Sequence, residues 1–199
     1  MKNYERYQNT DTDRVGRTDV LYHLCRKPSD GVIIPLLKSL TGKRILEVGI
    51  GSGYYTRYVM NGNKVCGIDQ NPHLCQLPIK VYKGDAARLN EAIGEKNFDV
   101  VMSMWMTEYL NHEQLQTFLC QSRQMLSGGG MLLTTIIADK GMGILYVTAA
   151  KKLRHIAKYC YNISVVEKMT RQAGFNSVEI KTLNARLGLS WAYLVSAQI

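Results

Sequence analysis

The run from Lys43 to Tyr58, KRILEVGIGSGYYTRY, restricts what this chain can become more than any other stretch. It opens with Ile45-Leu46-Glu47-Val48, an apolar, β-favouring segment with the length of a buried strand. Glycines follow at alternate positions, Gly49, Gly51 and Gly53. From Tyr54 to Met60 neither Gly nor Pro interrupts the chain before Gly62, which predicts a helix. A strand, a glycine-rich turn and a helix form the first half of a nucleotide-binding βα unit. Glycine lets such a turn bend tightly and lets a ligand lie against the main chain. The spacing also separates two ligand classes. A dinucleotide fingerprint, Gly-x-Gly-x-x-Gly, needs its third glycine at position 54, where helix must pack closely on strand. Tyr54 stands there, which argues against a pyrophosphate site.

Further strands arrive on the schedule of an α/β fold. Lys64–Asp69 reads as a second strand ending in an acid, and Pro72 is placed to begin a short helix after it. In nucleotide-binding α/β folds an acid at this point takes the hydroxyls of a ribose, a task that suits a carboxylate because it accepts two bonds at once. Lys80–Lys83 forms a third strand, followed by Gly84-Asp85-Ala86, where Asp85 fits the N-cap of a helix through Ala92. Phe98–Met104 is a fourth strand. A helix over His112–Met125 carries Leu115, Phe118, Leu119 and Ser122 at helical spacing, and Gly128-Gly129-Gly130 ends it before a fifth strand, Met131–Ile137.

Taken with these motifs, the segment ILEVGIGSG resembles the first motif of class I S-adenosylmethionine-dependent methyltransferases: a strand, an acidic residue, then Gly-x-Gly-x-Gly. Gly84-Asp85-Ala86 and FDVVMSMWMTEYL resemble later motifs of the same family. The resemblance covers Arg44 to Ile199. It implies a Rossmann-like, doubly wound α/β sheet of seven strands, order 3-2-1-4-5-7-6, with only strand 7 antiparallel. It implies S-adenosyl-L-methionine as cofactor, lying across the carboxyl ends of strands 1 to 4. By the same resemblance Glu47 meets the cofactor's ammonium group, with Gly49, Ile50, Gly51 and Gly53 around it. Asp69 and Gln70 meet the ribose, Gly84, Asp85 and Ala86 the adenine, and Ser103 and Met104 flank the transferred methyl group. Tyr4, Tyr7, Trp105 and Tyr146 are then candidates for the acceptor pocket.

The rest of the chain is less stereotyped. Asp13–Arg26 and Ser29–Leu40 predict two helices separated by Pro28, with Ser29 capping the second. Residues 1–40 would form a helical cap on a single domain of residues 1–199, with Arg14 and Arg17 either facing the site or solvated. Residues 138–163 are an insertion in which Gly141 and Gly143 loosen the entry to a helix over Leu145–Cys160. Its expected apolar stripe is Leu145, Ala149, Leu153, Ile156 and Cys160, opposite Lys151, Lys152, Arg154, His155 and Lys158. The readings are a lid over the acceptor, a core helix with a solvated basic face, or a membrane-surface helix. Ser164 through Glu167 has capping-box spacing for a helix to Ala173. Ser177–Leu183 and Leu189–Ala197, joined by a link too short for a helical crossover, must pair antiparallel.

Composition narrows the partners. The 199 residues hold 25 Lys and Arg against 16 Asp and Glu, a net charge of +9 that attracts nucleic acid, anionic lipid or an acidic substrate. No apolar run reaches the ~20 residues that span a bilayer. The N-terminal segment is polar, and five cysteines without C-x-x-C spacing read as reduced thiols, so a cytoplasmic location is expected. No metal site is expected from the scattered His and Cys. Pro-Pro-aromatic and Pro-Cys signatures of DNA methylases are missing, and Met104 replaces the glutamate of the arginine-methyltransferase pattern Ser-Glu-Trp-Met. A small-molecule O- or N-methyltransferase is the leading expectation. An RNA or protein methyltransferase is the alternative, ahead of a non-catalytic binding module. Glu108, Tyr109, His112 and His155 are chemically able to act as a base, and nothing in the spacing chooses among them.

Overall fold

The computed structural model describes residues 22–154 and 157–199. Seven strands form one sheet: β1 (Arg44–Val48), β2 (Lys64–Asp69), β3 (Lys80–Lys83), β4 (Phe98–Ser103), β5 (Leu126–Ile137), β6 (Ser177–Asn184) and β7 (Ser190–Gln198). Their order is β3-β2-β1-β4-β5-β7-β6. The pairs among β1 to β5 are parallel, and β7 runs antiparallel to both β5 and β6. The expected topology is therefore the observed one. The order reverses at β1 and β4, which opens a crevice at their carboxyl ends.

Alternation along the strands divides the core into two layers. Leu46, Val48, Val101, Leu132, Tyr193 and Val195 pack on one face, beneath α2 (Leu89–Ala92), α3 (His112–Met125) and α5 (Ile163–Gln172). Ile45, Val100, Met102, Leu133 and Leu194 pack on the other, beneath α1 (Lys27–Lys38) and α4 (Gly141–Arg154). Helix α3 begins with a full capping box: Gln114 N donates to Asn111 Oδ1 at 2.9 Å, and Asn111 N donates to Gln114 Oε1 at 3.0 Å.

Several local expectations are corrected. Pro28 does not separate two helices, because a π-turn over Tyr22–Arg26 runs directly into α1 with Pro28 in its first turn. A proline there lacks only an N–H that the widened turn need not satisfy. Ser29 is no cap; its hydroxyl donates to Cys25 O at 3.0 Å from inside the helix. After the glycine turn the helix shrinks to a 3₁₀ turn, Thr56–Tyr58. Asn63 Nδ2 donates to Val59 O and to Leu40 O, each at 2.7 Å, and so ends the helical path early. The glycines at 128–130 lie within β5, which starts immediately after α3. A Cβ on Gly130 would sit 3.0 Å from Phe98 O, so glycine lets β5 pass close to a register shift in β4. Finally, Asn162, not Ser164, caps α5, accepting from Ser164 N at 3.0 Å.

The insertion differs most. Helix α4 spans Gly141–Arg154, and its covered face is Gly143, Tyr146, Val147 and Ala150, while Leu145 is 59% exposed. The predicted stripe is thus rotated. Gly141 and Gly143 are close-packing positions: added Cβ atoms would lie 2.5 Å from Ser190 O and 2.1 Å from Ala138 O. Lys151 and Lys152 are exposed as expected, but Lys158 is buried.

Candidate functional site

The three glycines of the turn after β1 serve different ends. All have positive φ, +73° at Gly49, +53° at Gly51 and +78° at Gly53, a region that side chains rarely adopt. A Cβ on Gly49 would strike Met106 at 2.4 Å, and one on Gly53 would strike Leu77 at 2.5 Å. Gly51 has nothing within 4 Å of such a Cβ, so it is the glycine whose outer side is open. Ile50 turns inward instead, filling the space above Gly67, where a Cβ would lie 2.5 Å from its Cδ1.

Hydrogen bonds knit the candidate cofactor residues of three strands into one rim. Asp69 Oδ2 accepts from Gly51 N at 2.9 Å, and its Oδ1 accepts from Asn71 N at 2.8 Å. Gly84 N donates to Asp69 O at 3.0 Å. Gln70 Nε2 donates to Asp85 Oδ2 at 3.1 Å, while Asp85 Oδ1 caps the turn at Ala86 by accepting from Ala87 N at 2.8 Å. Each Asp69 oxygen keeps a further lone pair for a hydroxyl.

Glu47 is deeper than a surface carboxylate. It is 2% exposed, and the buried Thr56 hydroxyl donates to its Oε2. Burial pushes its carboxyl up to about 8; the Thr56 bond opposes this, and the charge of Asp69 adds to it. An ammonium group arriving beside Glu47 would restore the ionised form.

At the end of β4, Ser103 is fully buried with a hydroxyl that has no partner, and Met104 is packed in the core beneath α1. Trp105 turns back with φ +61°, held by its N–H to Thr135 Oγ1 at 2.7 Å. Its ring Nε1 donates to Tyr55 Oη at 2.6 Å, which donates to Asp30 Oδ1 at 2.6 Å. Tyr54 Oη reaches Asp30 Oδ2 at 3.2 Å. Burial first, then the Asp30 charge, raises the Tyr55 phenol well above its ordinary range, so it stays a neutral relay between indole and carboxylate.

A second polar cluster lies beside this relay. Glu108, buried in the 3₁₀ turn Thr107–Tyr109, takes Lys158 Nζ and Tyr146 Oη on Oε1, the latter at 3.0 Å. Arg26 Nη2 approaches the same oxygen at 3.9 Å, and its guanidinium lies 5.3 Å over the Trp105 ring. Lys158 also sits 4.8 Å over Tyr109 and 4.4 Å from the centre of Tyr146. Of the pocket candidates, Trp105 and Tyr146 thus come together through Trp191, whose ring is 5.9 Å from Trp105 and 4.9 Å from Tyr146. Tyr4, Tyr7, Arg14 and Arg17 lie outside the described residues, as does His155. Sequence reading missed the role of Lys158, because it placed that lysine on a solvated face. Glu108 was one of four eligible groups, and no local signal marked its lysine partner 50 positions away. Among the described residues no cluster of His, Cys, Asp or Glu is arranged to hold a metal, and no helix is long and apolar enough to cross a membrane.

Comparison with known proteins agrees with this geometry. A family model described as "Methyltransferase domain" matches residues 46–134. The tRNA U34 carboxymethyltransferase of Azotobacter vinelandii is 28% identical over 158 residues, which is 73% of this chain and 48% of that protein. The chain therefore spans about half the length of the curated relatives it matches. An S-adenosylmethionine-dependent methyltransferase from Mesorhizobium loti superposes with a TM-score of 0.71 at 16% identity, over 86% of this chain and 98% of that one. Phosphoethanolamine N-methyltransferase 2 from Haemonchus contortus, solved with S-adenosyl-L-methionine, gives 0.72 at 16% identity, over 98% and 58%. With the strand order, the glycine turn and the matched residues 46–134 in agreement, the chain carries a methyltransferase domain and has the fold of S-adenosylmethionine-dependent methyltransferases.

Proposed function

We propose that this chain binds S-adenosylmethionine across the carboxyl ends of β1, β2, β3 and β4 and transfers its methyl group to an RNA, with a tRNA as the substrate class. The observation that carries the acceptor is the likeness to tRNA U34 carboxymethyltransferases, extending over 73% of the chain rather than over the cofactor motifs alone. A net charge of +9 suits a polyanionic partner. A small-molecule acceptor, favoured by the motifs at first reading, has less support than this alternative.

Glu47, Gly51, Asp69 and Asp85 are the groups assigned to the cofactor. Gly51 offers its open side to the methionine moiety, the Asp69 carboxylate takes the ribose hydroxyls, and Asp85 takes the adenine amino group. The sulfonium supplies an already activated methyl, so the protein's task is to hold the acceptor close and in line. The relay Trp105–Tyr55–Asp30 and the Glu108 cluster fix the walls on the acceptor side.

Two measurements test this reading. Titration of S-adenosylmethionine should show binding that Asp69→Ala weakens by ~1–3 kcal/mol, the scale of hydrogen bonds to a charged group. Filter binding of a tRNA should weaken steeply with salt, and Lys151→Glu with Lys152→Glu should flatten that dependence. A chain that binds the cofactor but neither binds nor labels tRNA at low salt has another acceptor.

A further inference from the structure

Four of the exposed aliphatic side chains lie together at one edge of the molecule. Leu187 is 78% exposed at the tip of the turn between β6 and β7, with Leu189 exposed behind it, and Ile144 and Leu145 are exposed at the start of α4. Packing joins the two elements. Cβ atoms added at Gly141 and Gly143 would lie 2.5 Å from Ser190 O and 2.6 Å from Trp191 O, so α4 begins directly against the start of β7. The turn itself is braced: Ala185 N donates to Leu189 O at 2.8 Å, Gly188 N to Ala185 O at 2.9 Å, and Arg186 N to Leu24 O at 2.8 Å. Aliphatic surface gathered in this way marks an interaction site.

Its place and its charge say what covers it. Ile137 of β5 pairs with Ala192 of β7, so β7 begins at the carboxyl end of β5, the end at which the crevice opens. Trp191, two residues from Leu189, reaches Trp105 beyond the end of β4 at 5.9 Å. The patch therefore lies on the rim of the crevice. Neither residues 140–154 nor residues 180–199 contain an Asp or Glu, while Lys140, Lys151, Lys152 and Arg186 are exposed among them. The carboxylates nearest in sequence are the half-buried Asp139 and Glu179, which stands near the far end of β6. Two copies meeting on this face would oppose cation to cation, so it suits an anionic partner rather than a second copy.

We propose that this rim is the docking surface for the acceptor RNA, with Leu187 and Leu189 packing as a wedge against bases drawn out of their stack. This inference rests on the RNA reading above and adds the face that the RNA approaches. A base must leave its stack before its atoms can be modified, and aliphatic side chains set into the gap offset the lost stacking. The cations around the wedge meet phosphates, which supply much of the affinity and its salt dependence. A braced turn suits the task, since a wedge that is already ordered loses little entropy on binding.

Affinity for unfractionated tRNA, measured against salt concentration, separates the wedge from the cations. Leu187→Ser with Leu189→Ser should weaken tRNA binding about tenfold with an unchanged salt slope, because aliphatic contacts release no counterions. Lys140→Gln with Arg186→Gln should weaken binding and also flatten the slope. Both variants should keep the wild-type affinity for S-adenosylhomocysteine. Leu187→Ser alone, at the most exposed position, should keep the wild-type melting temperature and show part of the loss, which guards against a double variant that folds poorly. Affinity for tRNA within about twofold of wild type in both leucine variants, as for an energetically neutral contact, overturns the proposal. So does binding to vesicles of phosphatidylglycerol and phosphatidylcholine that the leucine variants abolish while tRNA binding is kept, since the face then meets a lipid surface. If wild-type protein binds no tRNA at low salt, the RNA reading itself falls; tRNA binding that ignores the leucines removes the wedge alone.

Discussion

The side of this molecule assigned to the cofactor and the side proposed for the acceptor are built on different principles. On the first, residues close in sequence do most of the work. The turn from Gly49 to Gly53 bends by local positive φ, and backbone amides of Gly51 and Asn71 hold the Asp69 carboxylate. On the second, Arg26, Tyr146 and Lys158 converge from distant parts of the chain onto the buried carboxylate of Glu108. The first arrangement is written in main-chain conformation. The second depends on charge balance in a buried place, so each member should be expensive to lose.

The largest expected effect comes from breaking that balance. Lys158→Met should destabilise the protein by about 3–5 kcal/mol, because it leaves the Glu108 carboxylate buried without its cation. Urea unfolding measures this, and adding Glu108→Gln to the same chain should recover part of the loss, since no charge is then stranded. If Lys158→Met costs as little as a surface lysine, the cluster is not a buried ion pair.

The next effect lies on the side assigned to the cofactor. The Glu47 carboxyl, with an ordinary value of 4.5, is raised by burial to about 8 in the fold. The native state therefore holds this proton more tightly than the unfolded chain does. The stabilisation is fully present below pH 4.5 and is lost as pH rises through 8, by about 2–4 kcal/mol once relaxation is allowed. Comparing unfolding free energies of wild type and Glu47→Gln from pH 4.5 to 9 isolates this group. The difference between the two should change across that window, and a constant difference would mean that Glu47 ionises freely.

The smallest effect sharpens the contrast. Gly51→Ala meets no neighbour and so should cost only ~1 kcal/mol in stability, the price of a left-handed residue. Its loss of S-adenosylmethionine affinity should exceed its loss of stability, because the added methyl points to the open side assigned to the ligand. A change in melting temperature with unaltered cofactor affinity would place the ligand elsewhere.

Much of the fold was legible in the sequence. Glycines at 49, 51 and 53 after an apolar run and an acid at 69 helped carry the family resemblance that implied the sheet order, while the antiparallel closing pair followed from a link too short for a crossover, because strand period and connection length are local properties. The errors were local competitions that side chains decided. Asn63 captured the Val59 carbonyl and cut a helix short, and Asn162 displaced Ser164 as a cap. Periodicity also misread α4, whose packed face is set by Gly143 against the backbone of Ala138 and Trp191. That close approach has no signature in a hydrophobic pattern.

What the sequence determined, through the resemblance its motifs carry, is the scaffold, since those motifs lie within a few positions of each strand end, where the residues proposed for the cofactor also stand. Only the tertiary structure decided that Lys158 leaves the basic surface for Glu108, and that Arg26 and Tyr146 meet it there. The reason is physical. A buried ion pair is stabilised by partners that chain folding brings together across dozens of residues, and neither charge reveals in advance which opposite charge will neutralise it.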